Sequence, residues 1–261
     1  MAASMIPQTA LERYAAYDKF AAVYDRYWAE TFAKDLRPVL GQHFLPVIPR
    51  PGAILDLCCG TGQIAKWLSD LGFRVVGVDG SSEMLAVARA KAPSVDYILA
   101  DARQFRVAEP CSAALSTFDS MNHLPSTADL AAAFRNVHAA LRPDGLFLFD
   151  MNMEAGFIAS SGEEQTIADG GYVCLVESTY DRRTGVGVSE ITIFRERDGG
   201  WARTDFTIRE YCYSEGAVRE QLLRAGFQSV ATFDAVKDFG MRRATGRKFF
   251  LAAMAELPPG I

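Results

Sequence analysis

Short apolar runs alternate with helix-spaced apolar positions between residues 54 and 150 of the chain. The strand-like runs end near residues 57, 78, 100, 117 and 150. The segments between them, except the loop predicted from residue 101 before the fourth strand, carry an apolar residue at every third or fourth position, which is the period of one helix face. Alternating strands and helices of this length predict an α/β fold whose parallel strands are joined by right-handed crossovers.

The pattern changes after residue 150. Residues 152–170 have a loop-like composition, and three strand-spaced runs separated by glycine-containing turns follow, at residues 172–180, 186–196 and 201–213. Turns this short join antiparallel neighbours, so we expect an antiparallel three-stranded insertion here. A helical pattern then precedes two further strand-like runs, at residues 229–233 and 249–254.

An aromatic stripe runs along the N-terminal segment, whose pattern is helical from about residue 11 to residue 40. Its members recur every three or four positions: Tyr14, Tyr17, Phe20, Tyr24 and the pair Tyr27-Trp28. Such a stripe marks one face of a helix. The simpler interpretation, which we favour for most of these residues, is packing against the sheet or the domain edge. The alternative is that part of the stripe covers a ligand.

Residues 56–62 join the first strand to the helix that follows it. Gly60 and Gly62 allow the backbone to turn sharply and allow a ligand to approach the main chain. The following helix directs its free N–H groups towards that ligand. Several nucleotide-binding families use such a turn, and a turn without a ligand is the simpler alternative.

Polar residues at the ends of the next three strands favour a ligand site. Asp79 ends the second strand, about 20 residues after the glycines, where an acid is placed to hold ribose hydroxyls. Asp101 follows the third strand, and a segment with Asp119 and His123 follows the fourth. Open α/β sheets bind ligands at the carboxyl ends of their strands, so these groups are expected to share one edge.

Composition limits the classes of protein that fit the chain. The 261 residues are 49% hydrophobic, which is enough for a core without disulfides, and they suit one large domain or one domain with an insertion. The net charge of −5 argues against a nucleic-acid partner. The five cysteines form no Cys-x-x-Cys pair, and no metal-ligand cluster is visible, so we expect no metal.

The N-terminal residues lack the charged and apolar regions of a signal peptide, and no apolar run approaches the length of about 18 residues that suits a membrane span. We therefore expect a cytoplasmic protein with reduced thiols and no membrane partner.

The glycine turn and the two acidic strand ends after it resemble the motifs of class I S-adenosylmethionine (SAM)-dependent methyltransferases. Residues 56–62, 78–85 and 100–102 match the first three motifs, and the resemblance covers about residues 14–151. It implies a Rossmann-like, seven-stranded, mostly parallel sheet with helices on both faces and an antiparallel β insertion after strand five. It also implies SAM as the cofactor, held by Tyr17, Tyr24, Trp28, Asp56, Gly60, Thr61, Gly62, Asp79, Gly80, Ser81, Met84, Asp101, Ala102, Phe118, Ser120 and His123.

The resemblance also implies roles for some of these residues. Asp79 would hold the ribose, and either Asp101 or the backbone of Ala102 would meet the adenine amino group. Tyr17 and Tyr24 would approach the methionine end from an overlying helix, where an aromatic face favours the sulfonium cation.

Residues 118–125 resemble the fourth motif of glycine-type and amino-sugar N-methyltransferases. In glycine methyltransferases the corresponding histidine lies near the methionine moiety, and the position of Asp119 is commonly an asparagine that meets the substrate. The resemblance therefore makes Asp119 and His123 the catalytic candidates, with Asp119 holding a substrate amine and His123 taking its proton. An equally favoured alternative is structural: Asp119 caps the following turn, and His123 packs under the N-terminal helix.

Three regions are expected: a helical lid (residues 1–40), a SAM-binding domain (41–151 and 214–261), and a β insertion over the substrate pocket (152–213). The expected function is methyl transfer to a nitrogen or oxygen of a small polar acceptor, with nitrogen favoured and a homodimer left open. One alternative is a catalytically silent SAM-binding module. A dinucleotide-dependent oxidoreductase is less favoured, because a Gly-x-Gly-x-x-Gly run would need glycine where Ala65 stands.

Overall fold

The computed structural model describes residues 8–257, so the parts of the expected lid and SAM-binding domain at residues 1–7 and 258–261 lie outside the described residues. Seven strands, numbered along the chain, form a central sheet: β1 (Ala53–Leu57), β2 (Arg74–Asp79), β3 (Asp96–Leu99), β4 (Cys111–Ser116), β5 (Leu141–Asn152), β10 (Ser229–Asp234) and β11 (Arg247–Ala253). Their order across the sheet is β10-β11-β5-β4-β1-β2-β3.

The topology of this sheet is the expected Rossmann-like one. Neighbours from β3 across to β5 are parallel, and β11 runs antiparallel to both β5 and β10. The chain leaves β3 at one edge and returns to β4 beside β1, so the strand order reverses between β1 and β4. Open α/β sheets bind ligands at such a reversal, which places the expected site at the carboxyl ends of these two strands.

The α-helices are α1 (Gln8–Tyr24), α2 (Glu30–Val39), α3 (Gln63–Asp70), α4 (Ser82–Lys91), α5 (Thr127–Ala140), α6 (Glu154–Ser160) and α7 (Glu215–Ala225). Helices α5 and α7 pack on one face of the sheet, α2 and α3 pack on the other, and α1 packs against α4. The side chains of Ser81, Ser126 and Ser214 accept the N-terminal backbone N–H groups of α4, α5 and α7. No helix within residues 8–257 is both long and apolar enough to cross a membrane.

The period of two along β1 divides the core between the faces of the sheet. Leu55 and Leu57 are buried on the face that α5 and α7 cover, together with Phe134 of α5. Ile54 is buried on the other face, where Leu68 of α3 packs. Because both faces are buried, β1 reads as an apolar run and not as an alternation.

The N-terminal helical segment is longer than expected. It begins at Gln8 in place of residue 11, and a π-helical turn at Asp25–Ala29 leads from α1 into α2. A second π-helical turn and a 3₁₀ turn extend it to Val47, beyond the expected end near residue 40. Pro38 lies inside α2, and Leu36 and Leu40 on either side of it are fully buried. Tertiary packing therefore overrides the usual helix-breaking effect of proline.

Strand β5 is also longer than expected, because it includes residues 142–145, which the sequence predicts to be a turn. Leu141 pairs with Cys111, and the register shifts before Ala113 pairs with Leu146. The guanidinium of Arg142 donates to the Pro51 carbonyl and to the Asp144 carboxylate, which holds this irregular extension against its neighbours.

The insertion has four strands and not three: β6 (Glu164–Asp169), β7 (Tyr172–Asp181), β8 (Val186–Arg197) and β9 (Gly200–Tyr211). They form one antiparallel sheet in the order β6-β7-β8-β9, which we call the insertion sheet. Strand β6 and helix α6 occupy the predicted loop. Strand β6 is an edge strand with mostly exposed polar residues, so it leaves no apolar alternation in the sequence.

Candidate active site

A cavity of about 360 Å³ lies at the carboxyl ends of β1, β2 and β4, between the glycine turn, α1 and the insertion sheet. Most of the expected site residues line it: Tyr17, Tyr24, Trp28, Asp56, Gly60, Asp79, Gly80, Met84, Ala102, Phe118, Asp119, Ser120 and His123. Four expected residues do not line it: Thr61, Gly62, Ser81 and Asp101.

The glycine turn presents its backbone to the cavity. Gly60 has a φ of 54°, and a Cβ placed there would point at the Tyr24 ring, 3.6 Å away across the cavity wall. Gly62 has a φ of 82° and begins α3, but a Cβ there would lie 2.9 Å from Ala88. Gly60 is therefore open to a ligand, whereas Gly62 is needed for the turn and for packing against α4.

Asp79 is held by the backbone on both sides. Its carboxylate accepts the Gly60 N–H at 2.9 Å and the Ser81 N–H at 2.9 Å. The Tyr14 ring packs directly on Gly80, where a Cβ would lie 2.0 Å from a ring carbon. Burial raises the pKa of Asp79, although these N–H groups oppose the shift. The carboxylate is thus fixed in one orientation at the cavity edge, where it can still accept a bond from a ligand.

Asp56 is a buried carboxylate at the end of β1, with a side chain that is 2% exposed. Its Oδ2 atom has no hydrogen-bond partner among the described residues. Burial, and then repulsion by Asp79, raise the pKa of Asp56 to about 7. An unpartnered buried carboxylate oxygen in a cavity wall is suited to a donor on a ligand.

Asp101 is turned away from the cavity. Its carboxylate accepts three hydrogen bonds from Arg103, and this guanidinium also pairs with Asp129. Burial alone would raise the pKa of Asp101, but the bonds and charge of Arg103 lower it overall. Its neighbour Ala102 lines the cavity. Of the two groups that the sequence offers for the adenine, the structure therefore exposes Ala102.

Thr61 and Ser81 act in the second layer of the site. The Thr61 hydroxyl donates to Gln63 at 2.8 Å, and the Ser81 hydroxyl donates to the Asp18 carboxylate of α1 at 2.6 Å. The Asp18 carboxylate also accepts the Glu83 N–H at the start of α4. These bonds fix the glycine turn and attach α1 to α4.

The aromatic stripe of α1 and the π-helical turn after it forms the cover of the cavity. The rings of Tyr17, Phe20, Tyr24 and Trp28 all line it, and Phe20 also contacts Phe206 of the insertion sheet at a centroid distance of 5.7 Å. Phe20 belongs to a third buried cluster, which joins α1 to Cys174, Ile191 and Ile193 of that sheet. The two interpretations of the stripe are therefore compatible, because the same helix face packs on the insertion sheet and covers the cavity.

Asp119 lies in a strained turn after β4. Phe118 and Asp119 have φ values of 69° and 49°, and their N–H groups donate to the Asp150 carboxylate at 2.8 and 3.0 Å. The Asp119 carboxylate accepts a bond from Asn152 at 2.5 Å and pairs with Arg247 at 2.7 Å. Arg247 also pairs with Asp150. Asp119 thus faces the cavity with much of its charge already neutralised.

His123 connects the cover to the polar side of the cavity. Its Nδ1 atom lies 2.8 Å from the Tyr17 hydroxyl and 3.3 Å from the carbonyl oxygen of Arg209 on β9. The Tyr17 ring meets the imidazole edge-on. The packing of His123 under the N-terminal helix and its placement at the cavity therefore occur together.

Glu210 of β9 is a functional candidate that the sequence analysis missed. Glu210 lines the cavity. One of its carboxylate oxygens lies within 4.8 Å of a carboxylate oxygen of Asp119 and of a ring nitrogen of His123. Its Oε1 atom is buried without a hydrogen-bond partner among the described residues. Burial, and then repulsion by Asp119, raise the pKa of Glu210 to about 8. The sequence did contain a signal for Glu210: it stands two positions after Ile208 in a strand, so its side chain lies on the same face as that apolar residue.

Comparison with known proteins gives the family. Residues 54–145 match the model of a methyltransferase domain family. A putative methyltransferase of Geobacillus sp. (strain WCH70) is 30% identical over 251 residues, which are 90% of this chain and 98% of the relative. The chain belongs to the class I SAM-dependent methyltransferase family. Membership makes the protein an enzyme that uses SAM, in place of the silent module or the oxidoreductase left open by the sequence.

Two further similarities concern this methyltransferase. It is 32% identical over 137 residues to a dTDP-3-amino-3,6-dideoxy-alpha-D-glucopyranose N,N-dimethyltransferase of Streptomyces fradiae, which covers 51% of this chain and 52% of that protein. Its fold matches the structure of a SAM-bound amino pentose methyltransferase from Micromonospora echinaspora with a TM-score of 0.65 at 21% identity, covering 98% of this chain and 100% of that one.

The cavity of the methyltransferase fits SAM in chemistry. In its wall, the fixed carboxylate of Asp79 can accept bonds from hydroxyl groups of the cofactor. The unpartnered buried oxygen of Asp56 can accept a bond from a cationic group of the cofactor. The wall also offers a glycine where a side chain would enter the cavity and a cluster of aromatic rings for a sulfonium.

Proposed function

We propose that this methyltransferase transfers the methyl group of SAM to an amino nitrogen of a small polar molecule. One observation carries the proposal: three proton-accepting side chains, Asp119, His123 and Glu210, converge within 4.8 Å of one another on the cavity wall. A neutral amine aligned for methyl transfer presents N–H groups that need such acceptors, and an arriving ammonium is stabilised by carboxylates. The amino-sugar enzyme of Streptomyces fradiae, which acts on an amino group, supports the same choice.

The cofactor side of the proposed site is formed by the glycine turn and the strand ends beside it. Asp79 holds the ribose hydroxyls, because its carboxylate is fixed by the N–H groups of Gly60 and Ser81. Ala102 meets the adenine in preference to Asp101, whose carboxylate is occupied by Arg103. Asp56 accepts a bond from the amino group of the methionine moiety through its unpartnered oxygen.

The remaining expected cofactor residues fall into two groups in this proposal. Several line the cavity and contact the cofactor directly: Tyr17, Tyr24, Trp28, Gly80, Met84, Phe118, Ser120 and His123. Thr61, Gly62 and Ser81 contribute through the shape of the turn and the cap of α4.

The proposal keeps the three regions expected from the sequence. The described parts of residues 1–40 act as the lid, those of residues 41–151 and 214–261 bind SAM, and residues 152–213 roof the acceptor side. The insertion sheet supplies Val176, Ser189, Ile191, Ile208 and Glu210 to the cavity wall, which supports this assignment.

Bound SAM supplies a methyl group activated by a positively charged sulfur. The protein has to hold the acceptor nitrogen in line with that methyl group and keep water away. The aromatic rings of Tyr17, Tyr24 and Trp28 close the cavity above the site, and Asp119 orients the amine. From the sequence, His123 is the candidate for taking the proton; its contacts with Tyr17 and the Arg209 carbonyl favour a positioning role in addition.

The experiment that tests this function compares matched acceptors. Purified enzyme and SAM labelled in its methyl group are incubated with sugar nucleotides that carry an amino group and with their hydroxyl counterparts. We expect label only in the amino compounds, with a mass increase of one or two methyl groups. Transfer to the hydroxyl compounds alone would establish an O-methyltransferase and contradict the proposal.

A further inference from the structure

Glu210 has a position and environment that the proposed function does not yet use. We propose that Glu210 binds the acceptor's amino group and takes the proton that its nitrogen sheds before methyl transfer. This proposal rests on the proposed function, since it requires an amine as acceptor. It moves the proton-accepting role from the histidine after β4 to a carboxylate of the insertion sheet.

The contacts around the cavity separate Glu210 from its two neighbours. The Asp119 carboxylate is already bound by Arg247 and Asn152. The imidazole of His123 has the Tyr17 hydroxyl at 2.8 Å and the Arg209 carbonyl at 3.3 Å. Glu210 presents a buried Oε1 atom without a partner to the same space. A buried oxygen without a hydrogen-bond donor is rare in folded proteins. An N–H group of the methylated substrate would supply that hydrogen bond.

The charges facing Glu210 also favour a cation. Asp119 and Asp150 are two carboxylates that share the single guanidinium of Arg247. An ionised Glu210 therefore adds a negative charge to a group that already contains one unbalanced carboxylate. Arg247 also acts on Glu210 directly, and His123 and the Tyr17 hydroxyl are further titratable groups beside it. An incoming ammonium group would neutralise one of these two negative charges, and desolvation makes the pairing stronger than it is at a surface.

The protonation range of Glu210 suits the chemistry of an amine. Burial and the neighbouring Asp119 raise the pKa of Glu210, which moves this carboxyl group towards the range in which aliphatic amines exchange protons. A general base works best when its pKa lies near the working pH. An ordinary exposed glutamate would be a much weaker base for the same step.

The reaction balances with these groups alone. The ammonium nitrogen transfers one proton to the Glu210 carboxylate and keeps a lone pair. The nitrogen then forms a bond to the methyl carbon as the carbon–sulfur bond breaks, and the electron pair of that bond stays on the sulfur. The product is a methylated ammonium and a neutral thioether, and the Glu210 carboxyl group later releases its proton to solvent.

A metal ion is the competing occupant of this wall, because the same three side chains are spaced closely enough to hold one. The contacts of Asp119 disfavour it, because Asn152 and Arg247 already donate to its Oδ2 atom. A metal ion would have to compete with these donors for Asp119, whereas an ammonium group can bind the unpartnered Oε1 atom of Glu210.

The first test observes Glu210 directly and does not need the natural acceptor. Enzyme labelled with ¹³C at the glutamate carboxyl carbons is saturated with S-adenosylhomocysteine and titrated from pH 5 to 10, with wild type, Glu210→Gln and Glu210→Asp compared by NMR. Methylammonium chloride, sodium chloride and zinc chloride are the probes. We expect one resonance, absent from Glu210→Gln, to titrate well above the ordinary glutamate range and to move to lower pH with methylammonium only.

The second test uses an amine acceptor from the transfer assay. Glu210→Gln should lower kcat/KM by about 10²-fold and remove the acidic limb of its pH profile, because the base is lost. His123→Asn should retain that limb. Glu190→Gln, an exposed acid on the neighbouring strand β8, is the matched control and should behave as wild type.

The outcomes distinguish the two proposals. A Glu210 resonance that titrates in the ordinary range, or that zinc perturbs while methylammonium does not, overturns the role of Glu210. So does an unchanged pH profile in Glu210→Gln, even if amines are methylated, and the proposed function then stands without it. Methylation of hydroxyl groups alone would instead overturn the proposed function, whatever the resonance shows.

Discussion

At the scale of single residues, Asp79 is the side chain on which cofactor binding should depend most. Its carboxylate is oriented by two backbone N–H groups before any ligand arrives, so little ordering is needed on binding. We expect Asp79→Ala to weaken SAM binding by about 1–3 kcal/mol, the range for a lost hydrogen-bonding partner at a buried site. Calorimetry gives the affinity, and Asp70→Ala, an exposed acid on α3, is the control. Unchanged affinity in Asp79→Ala would remove this residue from the ribose site.

Glu210 should also leave a mark on the stability of the fold. Its pKa in the folded protein is raised, so the native state binds the proton more tightly than the unfolded chain does. Stability from this group is present below the ordinary glutamate pKa and is lost as the pH rises through about 8. Replacing Glu210 by a residue that does not ionise should therefore raise the stability of the protein relative to wild type most at high pH.

We accordingly expect the Tm difference between Glu210→Gln and wild type to become more positive from pH 6 to pH 9. Differential scanning calorimetry at both pH values measures it, and Glu190→Gln should show no such trend. A difference that stays constant or shrinks would show that Glu210 titrates normally in the folded state.

At the scale of elements, the strands and helices around the candidate cofactor site could be predicted from the sequence, but the insertion sheet could be predicted only in part. Strand β1 is recognisable as an apolar run because both of its faces are buried. Ser81 marks the start of α4 by capping it with its hydroxyl, and Gly226 marks the end of α7 because it adopts a left-handed conformation. Strand β6 carries no such pattern, because an edge strand with polar side chains is defined by its pairing with β7.

The role of Glu210 could not be read from its neighbours in the sequence for a related reason. Its significance depends on Asp119 and Arg247, which are far away in the chain and meet it only after the insertion sheet has folded over β4. The occupation of Asp101 by Arg103 was equally invisible, since a motif gives the position of an acid but not the direction of its side chain.

An ion pair holds the middle of the proposed lid. Asp25, in the π-helical turn after α1, accepts bonds from Lys91 of α4 at 2.5 Å and from Gln63 of α3 at 2.6 Å. The Asp25 and Lys91 side chains are 28% and 24% exposed, so solvent screens the pair only in part. The pair connects the cover of the cavity to both helices that follow the cofactor-binding strands.

We expect Asp25→Asn to speed SAM dissociation by roughly twofold to fivefold, as the loss of a partly exposed ion pair implies. Stopped-flow fluorescence, using the tryptophan at the cavity, measures this rate. Glu30→Gln removes an exposed ion pair with Arg37 on the same helical segment and should leave the rate unchanged. Equal rates in Asp25→Asn and wild type would mean that the aromatic packing alone holds the lid.

At the scale of the whole molecule, the cavity lies between two kinds of core. The clusters on the two faces of the central sheet are large and continuous. The cluster that joins α1 to the insertion sheet has few buried members among the described residues. They are Phe20, Ala21 and Val23 on the helix side, Cys174, Ile191 and Ile193 on the sheet side, and Met84 beneath. Less buried apolar area means a lower free energy for local opening, so the cover is expected to open while the central sheet stays folded.

Hydrogen exchange should therefore change unevenly when a ligand fills the cavity. We expect S-adenosylhomocysteine to slow exchange in α1, β8 and β9, because a bound ligand stabilises only the closed arrangement of the cover, and to leave α5 nearly unchanged, because α5 packs on the already stable central core. Mass spectrometry of peptic fragments resolves these elements. Asp79→Ala at the same ligand concentration should lose the effect in all three. Uniform slowing that includes α5 would show that cover and central sheet open as one unit, and the lid would then have no independent motion with which to admit the cofactor.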